Sequence, residues 1–199
     1  LQQPGVEEGR YPFWRAFFIY SLGFVTMLLF YFIPTQLPFL SLELGAESLK
    51  VAGFAVVLSQ IFSSVASANY QRLRARFGNR QILVGSFVAL AVGFFMLSQA
   101  RSLTTMYASM PLIGLALGFN FPNLTIWLMS KVPATMRGRA SGGISTAVFL
   151  GQFLSPLLSQ SLASHFGLDG AFFWAMMLMI LLVVLPNLAL LMRQREAAG

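Results

Sequence analysis

The sequence predicts an all-α polytopic membrane protein with six transmembrane helices, and three observations predict this class. Six stretches without Asp, Glu, Lys or Arg are each long enough to cross a bilayer, which takes about 20 apolar residues. Hydrophobic residues make up 57% of the chain and charged residues 10%, against about 25% charged residues in a soluble domain. The apolar runs also lack the alternation of a transmembrane β-barrel strand. The charge-free stretches are 16–42, 51–71, 81–100, 102–130, 140–168 and 170–192.

The first three predicted helices are separated by charged loops. The first covers about 17–40, and two prolines near its outer end predict a bend there. The second covers about 51–68 and leads into a basic loop, 69–80. The third covers about 82–100, is almost wholly aliphatic and aromatic, and ends at a short turn near Arg101.

The last three predicted helices follow the same plan. The fourth covers about 103–129 and mixes aromatic, proline and amide residues. An inner loop, 131–139, leads to the fifth, at about 140–163, and an outer loop around Gly167 leads to the sixth, at about 171–192. We therefore expect a cytoplasmic linker (1–13), a six-helix bundle (14–193) and a cytoplasmic tail (194–199). Because the sequence begins with Leu1, we expect it to be part of a longer protein.

The basic residues are distributed unequally between the two ends of the predicted helices. If the N-terminus lies in the cytoplasm, only Lys50 and Arg101 lie outside, and the other eleven of the 13 basic residues lie inside. This positive-inside bias predicts that both termini are cytoplasmic. The same bias accounts for the net charge of +7, because basic residues orient the helices in the lipid bilayer. The bilayer is therefore the expected partner, and no nucleic acid is expected. The inner residues are Arg10, Arg15, Arg72, Arg74, Arg76, Arg80, Lys131, Arg137, Arg139, Arg193 and Arg195.

The polarity of the predicted helices repeats after three helices. The first and fourth are mixed, the second and fifth carry polar stripes, and the third and sixth are aliphatic and aromatic. The two halves must run in opposite orientations, which is the pattern of an inverted 3+3 helix repeat, common in transporters. The stripes consist of Gln60, Ser63 and Ser67 on the second helix and Gln152 and Ser155, followed by Ser159, on the fifth.

Two inner loops carry a resemblance to a known family. The loop Arg76-Phe-Gly-Asn-Arg80 resembles the G-x-x-x-D-R-x-G-R-R motif of the major facilitator superfamily, with Arg76, Gly78 and Arg80 matching and Ala75 in place of the aspartate. The segment 133–142, which contains Arg137 and Gly138, is similar to the P-x-x-x-R-G-x-A-x-G pattern of efflux-type members.

The resemblance implies that this chain is the C-terminal six-helix half of an efflux-type secondary transporter in a bacterial inner membrane. It implies that the first and fourth helices line a cavity for a small molecule, that the polar stripes face the missing N-terminal half, and that the third and sixth helices face lipid. The two loop motifs would form a cytoplasmic gate. Such a transporter works by alternating access and uses no cofactor.

Polar and aromatic residues on the two cavity helices are the candidate substrate contacts. Amides and phenols on an apolar surface suit an apolar solute that needs a few hydrogen bonds. The alternative is packing between helices, and for Trp127 anchoring at the membrane interface. The candidates are Asn120, Asn123, Trp127, Tyr20 and Tyr31.

The absence of charge inside the predicted spans limits the chemistry. Proton coupling needs a titratable group in the membrane, so any coupling acid is expected in the missing half. No Cys, His or acid has metal-ligand spacing around His165, so no metal is expected. A self-contained six-helix membrane enzyme or assembly protein is the alternative function, but an intramembrane serine protease needs a histidine inside a span, and His165 is the single histidine.

The orientation can be tested by cysteine labelling, because the chain has no native cysteine. Single cysteines at Gly78 and Asp169 should react with a membrane-impermeant reagent from opposite sides. Labelling of both from one side would contradict the predicted topology.

Overall fold

The computed structural model describes residues 11–196, and their side chains as far as Met192. Every regular element within this range is helical. A 3-10 turn, Ala134–Met136, precedes α5, and a π-helical turn, Ile180–Val184, follows it. The helices are α1 (Phe13–Glu43), α2 (Lys50–Arg74), α3 (Asn79–Ser98), α4 (Leu103–Met129), α5 (Arg137–Met179) and α6 (Leu185–Glu196).

Five helical stretches in residues 11–196 are long and apolar enough to cross a membrane, as expected for an integral membrane protein. The last of them, Ala134–Met192, has 59 residues. A straight helix of that length would measure about 88 Å, nearly three times the roughly 30 Å hydrocarbon core of a bilayer. The stretch therefore has to change direction.

The change of direction occurs at Gly167, which interrupts α5 with φ 73° and ψ 172°. Residues with a Cβ rarely adopt this conformation, whereas glycine adopts it freely. On either side of the break, Leu158 and Leu182 line one apolar cleft together with Leu28 of α1. Since the two leucines would lie about 36 Å apart on a straight helix, the chain must double back at Gly167.

The helix ends differ from the sequence expectations. The basic loop predicted at 69–80 is wrong in extent, because α2 continues to Arg74 and α3 begins at Asn79. Likewise, the fifth helix was expected to end near 163 but continues to the break at Gly167. The charge pattern marks where the chain leaves the membrane, and helices continue into water when their residues are helix formers. Residues 1–10 of the expected linker lie outside the described range, and α6 extends into the expected tail, to Glu196.

Three phenylalanines form the aromatic centre of the bundle. Phe32 of α1, Phe94 of α3 and Phe172 of α5 are fully or almost fully buried. Their ring centroids are 5.3 to 5.7 Å apart, within the range that favours edge-to-face contact. The cluster joins the segment after Gly167 to α1 and α3.

Small residues bring two pairs of helices into backbone contact. On α4, a Cβ built on Gly114 would lie 2.1 Å from the carbonyl oxygen of Ser59, and one on Gly118 would lie 2.2 Å from that of Ser63. On α5, a Cβ on Gly151 would lie 2.3 Å from the carbonyl oxygen of Phe24. Close contact of this kind is a main source of helix association in membranes, and it places α4 on α2 and α5 on α1.

The third helix, expected to face lipid, is largely buried within the bundle. More than half of its most apolar window, 56%, is inside the bundle, where it packs on α4 and on the segment after Gly167. Its exposed residues recur every three or four positions, so they form one narrow apolar face suited to lipid. They are Gly85, Val88, Val92 and Phe95.

The glycine contacts predict that an added methyl group destabilises the fold at some glycines and not at others. Gly118→Ala should lower the free energy of unfolding by about 1–3 kcal/mol, because the new methyl group meets the α2 backbone and forces the helices apart. Gly53→Ala, where nothing lies within 4 Å of the new Cβ, is the matched control and should be neutral or stabilising. Thermal unfolding in detergent would measure both, and equal melting temperatures would contradict the close contact.

Candidate functional site

A cleft with one polar wall opens between α1, α2 and α4. Its volume is about 300 Å³. Hydroxyl and amide groups line one part of the wall, and aromatic and aliphatic side chains line the rest. The polar lining residues are Thr26, Gln60, Ser63 and Ser67, and the apolar ones are Met27, Phe30, Leu117, Gly118, Phe121 and Pro122.

The α4 wall of the cleft is shaped by Pro122. Proline has no backbone N–H, so the carbonyl group of Gly118, four residues earlier, loses its helical donor. Both residues line the cleft. The α4 wall therefore contains a backbone carbonyl group that receives no hydrogen bond from residue 122.

A hydrogen-bonded chain links the α1 wall to α4. The Thr26 hydroxyl donates to the carbonyl oxygen of Leu22 at 2.7 Å and accepts a hydrogen bond from Asn120 Nδ2 at 2.9 Å. Asn120 is 2% exposed and lies behind Thr26 rather than in the lining. Among the described residues, its Oδ1 has no hydrogen-bond partner. Substrate contact by Asn120 stays a prediction, and in this structure the amide positions Thr26.

Asn123 is fully buried and joins three helices. Its Nδ2 donates to the carbonyl oxygen of Asn79 at 2.8 Å, and its Oδ1 accepts from the Tyr70 hydroxyl at 3.2 Å. Asn79 begins α3 and Tyr70 lies near the end of α2. Substrate contact by Asn123 also stays a prediction, and the structure favours the packing alternative because both ends of the amide are already bonded.

Trp127 lies outside the cleft, in a basic pocket of about 350 Å³. Three cations line this pocket, Arg15 of α1, Arg80 of α3 and Lys131 after α4, together with Trp14, Phe18 and Ile19. The Trp127 ring contacts Phe18 edge-on at 6.1 Å. The pocket lies at the end of the bundle that carries most of the basic residues.

The two candidate tyrosines do not line the cleft either. The Tyr20 hydroxyl bonds to that of Tyr11, and its ring packs against Gly143 of α5. Arg139 stacks over the Tyr11 ring at 4.8 Å. Tyr31 is half-buried and contacts Phe30 edge-on at 5.2 Å. Tyr20 thus connects α1 to the start of α5, and substrate contact by Tyr20 or Tyr31 stays a prediction.

The two polar stripes lie in different environments. Gln60, Ser63 and Ser67 line the cleft and remain partly or fully exposed, so contact with a partner half stays a prediction for them. Ser155, in contrast, is fully buried, and its hydroxyl donates to the carbonyl oxygen of Leu28 at 2.6 Å. The prediction that Ser155 faces a partner half is therefore wrong: its hydroxyl bonds α5 to α1.

The rest of the fifth-helix stripe follows the same α1 contact. Ser159 is buried and accepts a hydrogen bond from Gln36 Nε2 at 3.0 Å. Gln152 is half-buried, so a contact between Gln152 and another half stays a prediction. Within the bundle, the small hydroxyl residues let α5 approach α1 closely, as Gly151 does.

Charged groups are confined to the ends of the described helices. Between residues 11 and 192, the acidic residues are Glu43, Glu47 and Asp169, all at the end opposite the basic pocket. Asp169 pairs with Arg101 at 2.9 Å on the surface. The described residues contain no group of three His, Cys, Asp or Glu side chains that would hold a metal ion.

The family model described as Major Facilitator Superfamily matches residues 19–199. That range covers nearly the whole chain and all the walls of the cleft. The chain belongs to the Major Facilitator Superfamily. The members of this superfamily are transporters rather than enzymes.

Curated relatives of this superfamily member carry the name Multidrug resistance protein MdtG. The protein from Proteus mirabilis is 28% identical over 168 residues, which is 84% of this chain and 41% of the relative. Those from Yersinia enterocolitica and Salmonella typhi are 30% and 29% identical over 80% of the chain and 39% of the relative. The chain therefore spans about two fifths of the length of the relatives it matches.

The superfamily's two loop motifs lie at the basic end of the bundle. Arg76 and Gly78 are exposed between α2 and α3, and Arg137 and Gly138 are exposed at the start of α5. Only Arg80 is drawn inward, into the basic pocket, where its Nε is buried without a partner among the described residues. Asn79, which departs from the motif, exchanges hydrogen bonds with Asn123. A gating role for these residues stays a prediction.

Sequence reasoning missed part of the cleft. Thr26, Phe30 and Phe121 were not among the candidates, although all three line the cavity. Thr26 had a signal, because it is the single polar side chain between Ser21 and Tyr31 on α1. The phenylalanines had none, since an aromatic residue on an apolar helix reads the same whether it lines a cavity, packs or faces lipid.

The hydrogen bonds of Asn120 and Asn123 predict different losses of stability when each side chain is truncated to alanine. Asn123→Ala removes the acceptor of the Tyr70 hydroxyl and one donor to the Asn79 carbonyl, and should lower the free energy of unfolding by about 1–3 kcal/mol. Asn120→Ala serves as control and should cost less, because Thr26 keeps its bond to Leu22. Chemical or thermal unfolding in detergent compares the two variants. A larger loss for Asn120→Ala would show that the hydrogen bonds are assigned wrongly.

Proposed function

We propose that this chain is the C-terminal half of a secondary transporter that exports small organic solutes across a bacterial inner membrane by alternating access. The main support is the amphipathic cleft between α1, α2 and α4, in a chain that belongs to a superfamily of transporters. The name of the relatives, multidrug resistance protein, supports solutes of the drug type. The chain spans about two fifths of the length of these relatives, which supports a further membrane half.

The proposed topology has six crossings with both termini in the cytoplasm. The doubling back at Gly167 divides the 59-residue stretch into two membrane-length segments, which raises the five helical stretches to six. The glycine and hydroxyl contacts of α4 on α2 and of α5 on α1 support an inverted 3+3 repeat. The basic end of the bundle supports cytoplasmic termini by the positive-inside rule.

The cleft is the proposed half of the substrate site. Its aromatic and aliphatic wall offers contact to an apolar solute, and Gln60, Ser63 and Ser67 offer a few hydrogen bonds for orientation. The carbonyl group of Gly118, which receives no hydrogen bond from Pro122, is a further candidate acceptor. A site of this type tolerates varied solutes, since most of its binding energy comes from non-directional apolar contact.

The missing half is the proposed partner of α2. This helix has the smallest buried share among the five stretches, 22% of its most apolar window, and its exposed face mixes Gln60, Ser64 and Ser67 with Phe54, Val57 and Ile61. Polar groups are costly against lipid, so this mixed face is better covered by protein. If transport is proton-coupled, the coupling acid belongs to that partner, because residues 13–43 and 50–129 hold no acid between their ends.

Truncation of one cleft phenylalanine tests the function in the complete transporter. Phe121 and Phe95 are matched, being 50% and 47% exposed on helices, but only Phe121 lines the cleft. Phe121→Ala should raise the apparent KM for an apolar drug about 10- to 150-fold, because burying a phenyl group against a ligand contributes about 1.5–3 kcal/mol. Phe95→Ala should leave the KM unchanged.

The measurement is drug efflux from proteoliposomes, or drug accumulation in cells that lack other exporters. Absence of any effect of the complete wild-type transporter on a panel of apolar drugs would remove the proposed function. Equal KM values for the Phe121→Ala and Phe95→Ala variants would keep transport but move the substrate site elsewhere.

A further inference from the structure

A second groove lies on the surface of the bundle. It is formed by the end of α2, the first half of α3 and α4. Its volume is about 370 Å³, and its lining includes Leu73, Phe77, Gly85, Ala89 and Phe119. Apolar side chains dominate this lining. The groove is separate from the proposed substrate cleft, with which it shares no lining residue.

The groove exists because α3 presents small residues on its exposed face. Gly85 is exposed, and a Cβ built on it would meet nothing within 4 Å. Ala89, one turn further, adds only a methyl group to the wall. The exposed stripe of α3 that contains Gly85 is otherwise apolar, so this side of the bundle suits hydrocarbon and the groove is open to it.

The length of the groove matches part of one leaflet. Along α3 its lining runs from Gln81 to Ala89, which is about 12 Å of helix. Half of a bilayer's hydrocarbon core measures about 15 Å. An acyl chain that enters at the α2–α3 turn would therefore lie in the groove over most of its leaflet.

Basic residues adjoin the α2–α3 end of the groove in the sequence. Leu73 and Phe77 lie in the lining, and Arg72, Arg74 and Arg76 alternate with them along the chain. In the part of the chain between residues 11 and 192, every carboxylate lies at the opposite end of the bundle. An anion at this end of the groove would thus meet positive charge without competition from a described acidic side chain.

We propose that the groove binds an anionic phospholipid, with an acyl chain between α2, α3 and α4 and the headgroup phosphate at Arg72, Arg74 and Arg76. The apolar cleft on the other side of the bundle gives the contrast. It has a similar volume, about 370 Å³, and is lined by Leu28, Leu158 and Leu182 and their apolar neighbours. None of its lining residues is next to a basic residue in the sequence, whereas Leu73 and Phe77 of the groove are. That cleft suits an acyl chain without selecting a headgroup.

The experiment is native mass spectrometry of the complete, purified transporter in detergent, with phosphatidylglycerol and phosphatidylcholine of identical acyl chains. We expect phosphatidylglycerol to be retained preferentially. Each arginine near the surface contributes about 1 kcal/mol to anionic lipid binding, so each single Arg→Gln change at 72, 74 or 76 should lower that preference about five-fold. Lys50→Gln, at the opposite end, is the charge-matched control and should not change it.

A second pair of variants tests the acyl-chain position without changing charge. Gly85→Leu should fill the groove and reduce retention of both lipids, and the open space around Gly85 lets the fold accept the new side chain. Gly53→Leu, an equally open glycine on α2, should retain both lipids. Glycerol 1-phosphate, which has the same phosphate group but no acyl chain, should not displace phosphatidylglycerol at equal concentration.

Three results would each overturn the proposal. One is an unchanged lipid preference in the arginine variants. Another is full lipid retention by Gly85→Leu, and the third is displacement of the lipid by glycerol 1-phosphate alone. Because lipid retention is measured without transport, these results are independent of whether the proposed drug efflux is correct.

Discussion

The absence of water from the hydrocarbon core governs how this bundle is held together. Apolar side chains gain little by leaving lipid for a protein interior that is equally apolar, so association depends on close contact and on hydrogen bonds between helices. The structure uses both at the same places. Gly151 brings the α5 backbone onto α1, and Ser155, one turn later, then reaches the carbonyl oxygen of Leu28. Gly114 and Gly118 do the same for α4 on α2.

The same constraint explains where the buried asparagine side chains find their hydrogen-bond partners. An Asn side chain in lipid must find partners within the protein, and Asn123 finds them in Tyr70 and Asn79, two residues at helix ends. Asn120 finds one partner in Thr26 and thereby positions a hydroxyl group in the cleft wall. The two asparagines are thus bonded behind the wall, and the cleft itself is lined by hydroxyl groups, the Gln60 amide and apolar side chains that include two phenyl rings.

The sequence allowed the fold class, the helix order and the family to be predicted, because charge is excluded from a bilayer and its positions therefore mark the loops. It did not allow the neighbours of a polar residue to be predicted. Ser63 and Ser155 both lie on polar stripes of apolar helices, yet one lines the cleft and the other is buried against α1. What separates them is the helix that lies opposite, and a periodic pattern contains no information on that neighbour. The helix ends were also misplaced, since α2 continues past its last apolar turn to Arg74.

The reversal at Gly167 has a mechanical consequence. A single non-helical residue joins the two segments, so the connection has almost no slack, and Asp169 beside it pairs on the surface with Arg101 of the turn between α3 and α4. A tilt of the first segment is therefore transmitted to Phe172, five residues beyond the break, and through its ring to Phe32 and Phe94. Displacement of any one of these helices is shared by the others, which is the behaviour of a rigid body rather than of six independently moving rods.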